Sequence, residues 1–343
     1  MRVLGTSRAD QVSRRRGLGA LITALAGGVG ASCAPAPRAA VPGPVPWATV
    51  PVAGTPRWWA TVGRKSKGGV EFDTPNSVAI GPHGTVYVAD AGNDRIAVVN
   101  PAGVASGTMG RSGRRPGSLS FPGGVAIGAG ALQSWPTRGN GRIQALMADA
   151  GTAGHSLSDD DAPGQFAAPR ALVISPDGTL LVADPRHHRI VMLGRDATVT
   201  ATFGQRGTRP GEFDTPKGAA IAPDRSIIVA DAANHRIQRI ASDGTPIEAW
   251  GHRGKGVREF QNPEAVAIAL DGTVWVAVSG NDRIQGFTPD GTPRRRWGDR
   301  VRGVGQLDAP SGLAIDATGA LVIANANNHR IHRVGADDLR ASR

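Results

Sequence analysis

Short apolar segments, separated by polar and glycine-containing turns, return along this chain with a fixed phase. Aligned on that phase, three positions never change. Pro75, Pro122, Pro169, Pro216, Pro263 and Pro310 form one set; Ile80, Ile127, Ile174, Ile221, Ile268 and Ile315 form a second; Ile96, Ile143, Ile190, Ile237, Ile284 and Ile331 form a third. Each isoleucine of the third set follows an arginine, and these arginines, Arg95, Arg142, Arg189, Arg236, Arg283 and Arg330, stand 47 residues apart. Within the first unit the pattern predicts four short strands, at residues 77–80, 85–89, 95–99 and 105–109, joined as a meander. The small residues Ala79, Ala126, Val173, Ala220, Ala267 and Ala314 suit a crowded centre, so the first strand of each unit is expected innermost. The invariant isoleucines are expected to fill the space between neighbouring sheets, since β-branched side chains pack well on pleated surfaces.

A period of this size, built from strands and glycine-rich turns, specifies a propeller blade rather than a helical solenoid. The expected fold is therefore all-β, a six-bladed β-propeller of four-stranded blades over residues 58–343. The last unit ends before an outer strand like that at 247–250 of the fourth unit, whereas Trp59 to Val62 lie in register with the missing piece. An N-terminal strand is thus expected to complete the last blade and remove its open edge.

The run Gly-Thr-Val-Tyr-Val-Ala-Asp-Ala-Gly-Asn-Asp-Arg-Ile at 84–96, preceded by Phe-x-x-Pro at 72–75 and echoed by Val-Ala-Asp-Ala-Ala-Asn-His-Arg-Ile at 229–237, resembles the NHL repeat. The resemblance extends over residues 58–343 and is weakest in the second unit, where Pro136 falls within a strand and Thr137 stands in place of Asp90.

The chain before residue 58 has a different composition. Residues 1–33 read as an export signal: Ser13-Arg14-Arg15-Arg16-Gly17-Leu18 resembles a twin-arginine motif, and the uncharged stretch from Gly17 to Ser32 is too short to span a bilayer. The single cysteine, Cys33, closes Gly30-Ala31-Ser32-Cys33, which resembles a lipoprotein box and marks Cys33 as the lipidation candidate; an ordinary cleaved signal with an incidental cysteine is the alternative. Seven prolines in residues 34–57 describe an extended linker, with a reach of up to ~70 Å at polyproline geometry. The implied location is the periplasm or cell surface, with a lipid anchor in the membrane. The formal charge of +11 falls only to +7 without residues 1–32.

Candidate chemistry lies where the repeat breaks its own symmetry. Asp90, Asp184 and Asp231, five residues before a repeated arginine, are expected to fix a turn rather than to act as acids or bases. The position after the repeated proline differs in every unit: Asn76, Gly123, Arg170, Lys217, Glu264 and Ser311. This end of an inner strand opens on the mouth of a propeller's channel, so these residues, Gly123 apart, are the ligand-binding candidates, with Arg170, Lys217 and Glu264 forming one charged side. Peptidyl-hydroxyglycine amidating lyases resemble NHL propellers and are understood to carry metal-binding histidines after such prolines; none of the six is histidine here, and no metal or cofactor is expected. His187-His188 lacks a third ligand, and the acidic run Asp159 to Asp161 reads as a solvated loop rather than a calcium site.

Five of the six loops between units are basic: Arg64, Lys65 and Lys67; Arg111, Arg114 and Arg115; Arg206 and Arg209; Arg253 and Lys255; Arg300 and Arg302. They are expected on the face that carries the channel mouth, where their field would attract an anionic partner. Export and a shortage of aromatic residues in these loops argue against nucleic acid. Together these features imply a monomeric, membrane-tethered binding or scaffold module for a protein or an anionic envelope component. The alternative is a propeller enzyme of lyase or lactonase type, working at the channel mouth.

Overall fold

The computed structural model describes residues 71–341 except 116, 129–132, 138–140, 147–154, 158–165, 197 and 299–305. Every described element except the final helix and a few single-turn 3-10 helices is a strand, and the blade strands form antiparallel meanders in chain order. The first unit is Pro75–Ile80, Val86–Asp90, Arg95–Val99 and Ala105–Met109. The fourth, Pro216–Ile221, Ile227–Asp231, Arg236–Ile240 and Pro246–Trp250, repeats it residue for residue. The second, third and fifth units also form four-stranded sheets. Together they make a β-propeller whose inner strands pack side by side around an axis.

The expected count of six four-stranded blades is corrected to five. The last unit supplies only Pro310–Ile315, Leu321–Asn325 and Arg330–Val334, because the chain then turns into the helix Ala336–Ala341 instead of an outer strand. Leu339 of that helix packs against Leu307, Leu321 and Val334, and Arg295 donates to the Leu339 carbonyl. The segment assigned to the missing strand, 59–62, lies outside the described residues.

Two recurrent side chains seal the gaps between sheets. The isoleucines after the repeated arginines are all at most 1% exposed. Three residues before each repeated proline stand Phe72, Leu119, Phe166, Phe213, Phe260 and Leu307, all buried. Phe260 packs with Ile237 and Trp250 of the preceding unit, and makes an edge contact with Phe287 of its own at 5.6 Å between ring centroids. Each such side chain contributes about 1.5–3 kcal/mol on burial. The isoleucines that end the inner strands, Ile80, Ile174, Ile221 and their counterparts, are only half-buried, yet each packs as expected against a core cluster shared by two neighbouring units.

Inner strands approach one another most closely just after the prolines. A Cβ placed on Gly218 would lie 2.7 Å from the Ala265 Cα, and one on Gly312 would lie 2.6 Å from the Ser77 Cα. Since Gly312 belongs to the last unit and Ser77 to the first, the ring is closed at its centre by backbone contact.

Candidate functional site

In four of the six units the residue after the repeated proline owes its direction to a β-bulge. In the first unit Pro75 pairs with Asp90 and Ser77 with Ala89, leaving Asn76 as the extra residue; Lys217, Glu264 and Ser311 are the extra residues of their own units in the same way. A bulge re-aims one side chain without disturbing the rest of the pairing. Here it turns that side chain towards the axis. Asn76, Gly123, Arg170, Lys217, Glu264 and Ser311 all line one cavity of about 240 Å³ at the channel mouth. Below them a ring of Val78, Val125, Leu172, Ala219, Val266 and Leu313 makes the wall apolar.

Three of these residues form one charged cluster. Glu264 Oε1 accepts from Lys217 Nζ at 2.7 Å and from Asn262 Nδ2 at 2.8 Å, while its Oε2 accepts from Arg170 Nη2. Lys217 also donates to Asn262 Oδ1 at 2.9 Å. The Glu264 side chain is 8% exposed, and those of Arg170 and Lys217 are 14% and 16%. Burial by itself would push the Glu264 carboxyl up; the charges of Arg170 and Lys217 outweigh it and hold the group below the usual carboxylate range. Two cations share one carboxylate, so the cluster keeps a net positive charge. Ser311 is spent on structure, its hydroxyl donating to the Pro75 carbonyl at 2.9 Å. Asn76 is 5% exposed, and its Nδ2 finds no partner among the described residues.

Around the mouth, the repeated arginine does more than the expected turn fixing. Asp90, Asp184 and Asp231 do bind Arg95, Arg189 and Arg236 through Nε, at 2.7, 3.0 and 2.7 Å. The rest of the guanidinium reaches back to carbonyls of the loop that enters its own unit. Arg142 donates to Arg114 O, Arg115 O and Ser118 O; Arg236 to Thr208 O, Arg209 O and Glu212 O; Arg283 to Lys255 O, Gly256 O and Glu259 O. Several of the residues whose carbonyls are clamped, Arg114, Arg115, Arg209 and Lys255, carry the basic side chains of those loops. Arg111, Arg206 and Arg253 complete the described part of the basic set, and all seven are exposed. The loops run from an outer strand to the start of the next inner strand, which places them on the face of the channel mouth. Arg64, Lys65, Lys67, Arg300, Arg302, Cys33 and the acidic run at 159–161 lie outside the described residues.

The slot before the repeated arginine, a plain polar turn by its sequence pattern, carries a latch. Its occupants sit at positive φ, and, Gly141 apart, their side chains accept a backbone N–H from the residue preceding the next unit's proline. His188 Nδ1 accepts from Thr215, His235 Nδ1 from Asn262 and His329 Nδ1 from Thr74, at 3.2, 3.2 and 3.1 Å. Asp94 and Asp282 do the same for Phe121 and Ala309. Along the chain the latch spans 27 residues from His188 to Thr215, from His235 to Asn262 and from Asp94 to Phe121, a constant spacing that the sequence did contain. His187 and His188 have separate partners, His187 Nδ1 lying 2.7 Å from Asp184 Oδ2. Among the described residues, no group of three or more His, Cys, Asp or Glu side chains is placed to hold a metal ion.

Comparison with known proteins agrees with this architecture. The NHL repeat matches at residues 213–240 and 307–334, so the chain carries NHL repeats within a β-propeller. No curated protein matches the chain in sequence. Among solved structures, a gluconolactonase from Xanthomonas campestris is 18% identical with a TM-score of 0.60, covering 77% of this chain and 86% of its own. A catalytically inactive virginiamycin B lyase from Staphylococcus aureus, solved with quinupristin, is 15% identical with a TM-score of 0.55, covering 75% and 79%. A streptogramin B lyase is 15% identical with a TM-score of 0.55, covering 78% and 94%. At these identities the likeness is one of fold, and one fold hosts unrelated activities.

Proposed function

We propose that this chain is an exported, lipid-anchored NHL propeller that serves as a binding or scaffold module, engaging a protein or an anionic envelope component through its basic face. The observation that carries the reading is the arginine clamp: the guanidinium groups of Arg142, Arg236 and Arg283 fix the loop backbones, and the same loops display Arg111, Arg114, Arg115, Arg206, Arg209, Arg253 and Lys255 to solvent. Fixing a loop before binding lowers the ordering cost of association, and clustered positive charge speeds encounter with an anion. In this reading Cys33 bears the anchor, the linker at 34–57 holds the propeller clear of the surface, and residues 59–62 pair with the open edge of Arg330–Val334.

The test is affinity capture from envelope extract by residues 34–343, comparing the wild type with Arg114→Ala/Arg115→Ala/Arg209→Ala/Lys255→Ala at low and at about 0.15 M salt, where the Debye length is about 8 Å. A partner lost by the variant and weakened by salt supports the reading; a partner held equally by both proteins removes the basic face from it. Unchanged membrane attachment and mass of Cys33→Ala would remove the lipid anchor. An enzyme of lyase or lactonase type is the second reading, favoured by the convergence of Glu264, Arg170 and Lys217 in one cavity. Turnover of a lactone or a cyclic depsipeptide, abolished by Glu264→Gln, would support it.

A further inference from the structure

The channel mouth carries more hydrogen-bond donors than acceptors. Glu264 is saturated by Arg170, Lys217 and Asn262. Arg170 spends only Nη2 on that carboxylate, and among the described residues its Nε and Nη1 have no partner. Asn76 Nδ2, on the first unit, is buried in the wall of the same cavity and has none either. An amide N–H buried without an acceptor costs about 1–3 kcal/mol, a cost removed by any ligand that brings an oxygen to it. The unmet groups are donors in a pocket of net positive charge, so the complementary group is an oxyanion. With two cations against one carboxylate, a single negative charge balances the cluster.

The wall below the polar ring sets the chemistry of the group attached to that oxyanion. Val78, Leu172, Val266 and Leu313 line it and offer nothing to a second charge or a sugar hydroxyl. At about 240 Å³ the cavity admits a small molecule rather than a polymer. Resting on the reading that this propeller binds an anionic ligand, we propose that the channel mouth is a site for a small organic monocarboxylate, its head group held by Arg170 and Asn76 and its apolar body lying against the valine and leucine ring. Glu264 serves as the internal counter-ion that holds Arg170 and Lys217 in place. The basic loops and this pocket are then two separate anion-binding elements of one face, the first for a large partner and the second for a small one.

The experiment is calorimetric titration of the full chain in detergent with hexanoate, hexanamide and inorganic phosphate, in the wild type, Asn76→Leu and Arg170→Gln, with thermal unfolding of each variant as the check on folding. Hexanoate is expected to bind at one site, with hexanamide and Asn76→Leu each weakening it by about tenfold or more, as loss of a charge-assisted hydrogen bond requires. Arg170→Gln is expected to lose binding altogether. Equal affinity for hexanoate and hexanamide, preference for phosphate, unchanged binding by folded Asn76→Leu, or no carboxylate binding up to ~10 mM would each overturn the proposal. Salt-sensitive capture through the outer loops is read independently. If capture persists while the mouth binds no carboxylate, this inference fails and the scaffold reading stands; if capture fails while hexanoate binds, the reverse holds.

Discussion

Acid should destabilise this propeller through one histidine. His332 is 3% exposed, and its Nε2 lies 2.9 Å from Asn325 Nδ2, which donates to it, so the ring is neutral as packed. Burial, with the nearby Arg330 cation, pushes its pKa from 6.5 down to about 4. Between those values the unfolded chain binds a proton that the folded one refuses. The contribution is therefore fully present above pH 6.5 and is lost as pH falls towards 4. At about 1.4 kcal/mol per pKa unit the full loss is about 3 kcal/mol, of which about 2 kcal/mol is gone by pH 5.

The repeat itself supplies the control. At the position of His332 the second, fourth and fifth units carry Gln144, Gln238 and Gln285, whose Nε2 donates to the carbonyl 26 residues earlier, at 2.7, 2.7 and 2.9 Å. The equivalent carbonyl for position 332 is Gln306 O, to which Asn325 already donates at 2.9 Å. His332→Gln should thus keep the neutral packing and remove the titration. Urea unfolding of both proteins, followed by tryptophan fluorescence at pH 7.5 and pH 5, measures the difference. The wild type should lose about 2 kcal/mol more than the variant over this interval. Burial pushes His235 down and the carboxyls of Asp90 and Asp231 up, but these groups titrate in both proteins and cancel in the comparison. Equal losses in the two proteins would show that His332 protonates freely in the folded state, and the reasoning from burial would fail.

The latch, the clamp and the closed centre each give one further expected outcome. Gly141 occupies the latch slot of the second unit at φ 64° and has no side chain to accept the N–H of Ala168, so Gly141→Asp should raise stability by about 0.5–1 kcal/mol in thermal unfolding; no gain would mean the latch is incidental. Arg236→Gln removes the counter-charge of buried Asp231, leaving it the neutral donors Asn234, Gln238 and the Asp214 N–H, and should cost about 3 kcal/mol, whereas Arg283→Gln, in the unit where Val278 replaces the aspartate, should cost clearly less; equal costs in urea unfolding would assign the arginines' worth to the carbonyl clamp alone. Gly312→Ala forces a methyl against the Ser77 backbone and should cost about 1–3 kcal/mol, with a lower thermal midpoint than Gly107→Ala, where nothing lies within 4 Å of the added carbon; equal midpoints would mean that the inner strands part without cost.

The fold was legible because the repeat imposes the same physical demand in each unit. A proline that begins an inner strand, an isoleucine that must fit between sheets and an arginine at the start of the third strand are read directly from their recurrence. The sixth unit departs from the count of four strands for a local reason that recurrence does not carry: after Arg330–Val334 the chain turns into the helix Ala336–Ala341. The bulge was hidden for a different reason. One extra residue in a strand leaves no trace in hydrophobic periodicity when the next position is Ser77, Gly218 or Ala265. Recurrence identified the post-proline position as variable and the propeller reading put it at the channel mouth; the backbone adds the bulge, seen in four units, that turns the side chain to the axis. The latch was hidden because histidine, aspartate and glycine share the slot, and what unites the latching residues is left-handed backbone and an acceptor atom rather than side-chain type.

Stability and variability are divided between backbone and side chain in this molecule, and the division explains how one repeat can hold a surface that differs from unit to unit. The repeated arginine binds carbonyls, which every residue possesses. Arg142 can therefore hold a loop containing Arg114 and Arg115, and Arg236 one containing Thr208 and Arg209, without constraining what those residues display. The bulge works in the same way: proline before it and close backbone contact after it fix the chain, while Asn76, Lys217, Glu264 and Ser311 occupy the bulged position without changing the pairing around it. A substitution in the clamp or the latch should therefore be read in unfolding curves, and one in the loops or the bulge in binding curves. Arg170→Gln is the informative test. It lies at the mouth yet leaves Glu264 with Lys217 and Asn262 as partners, so a small loss of stability combined with a complete loss of anion binding is the pair of results that this division requires.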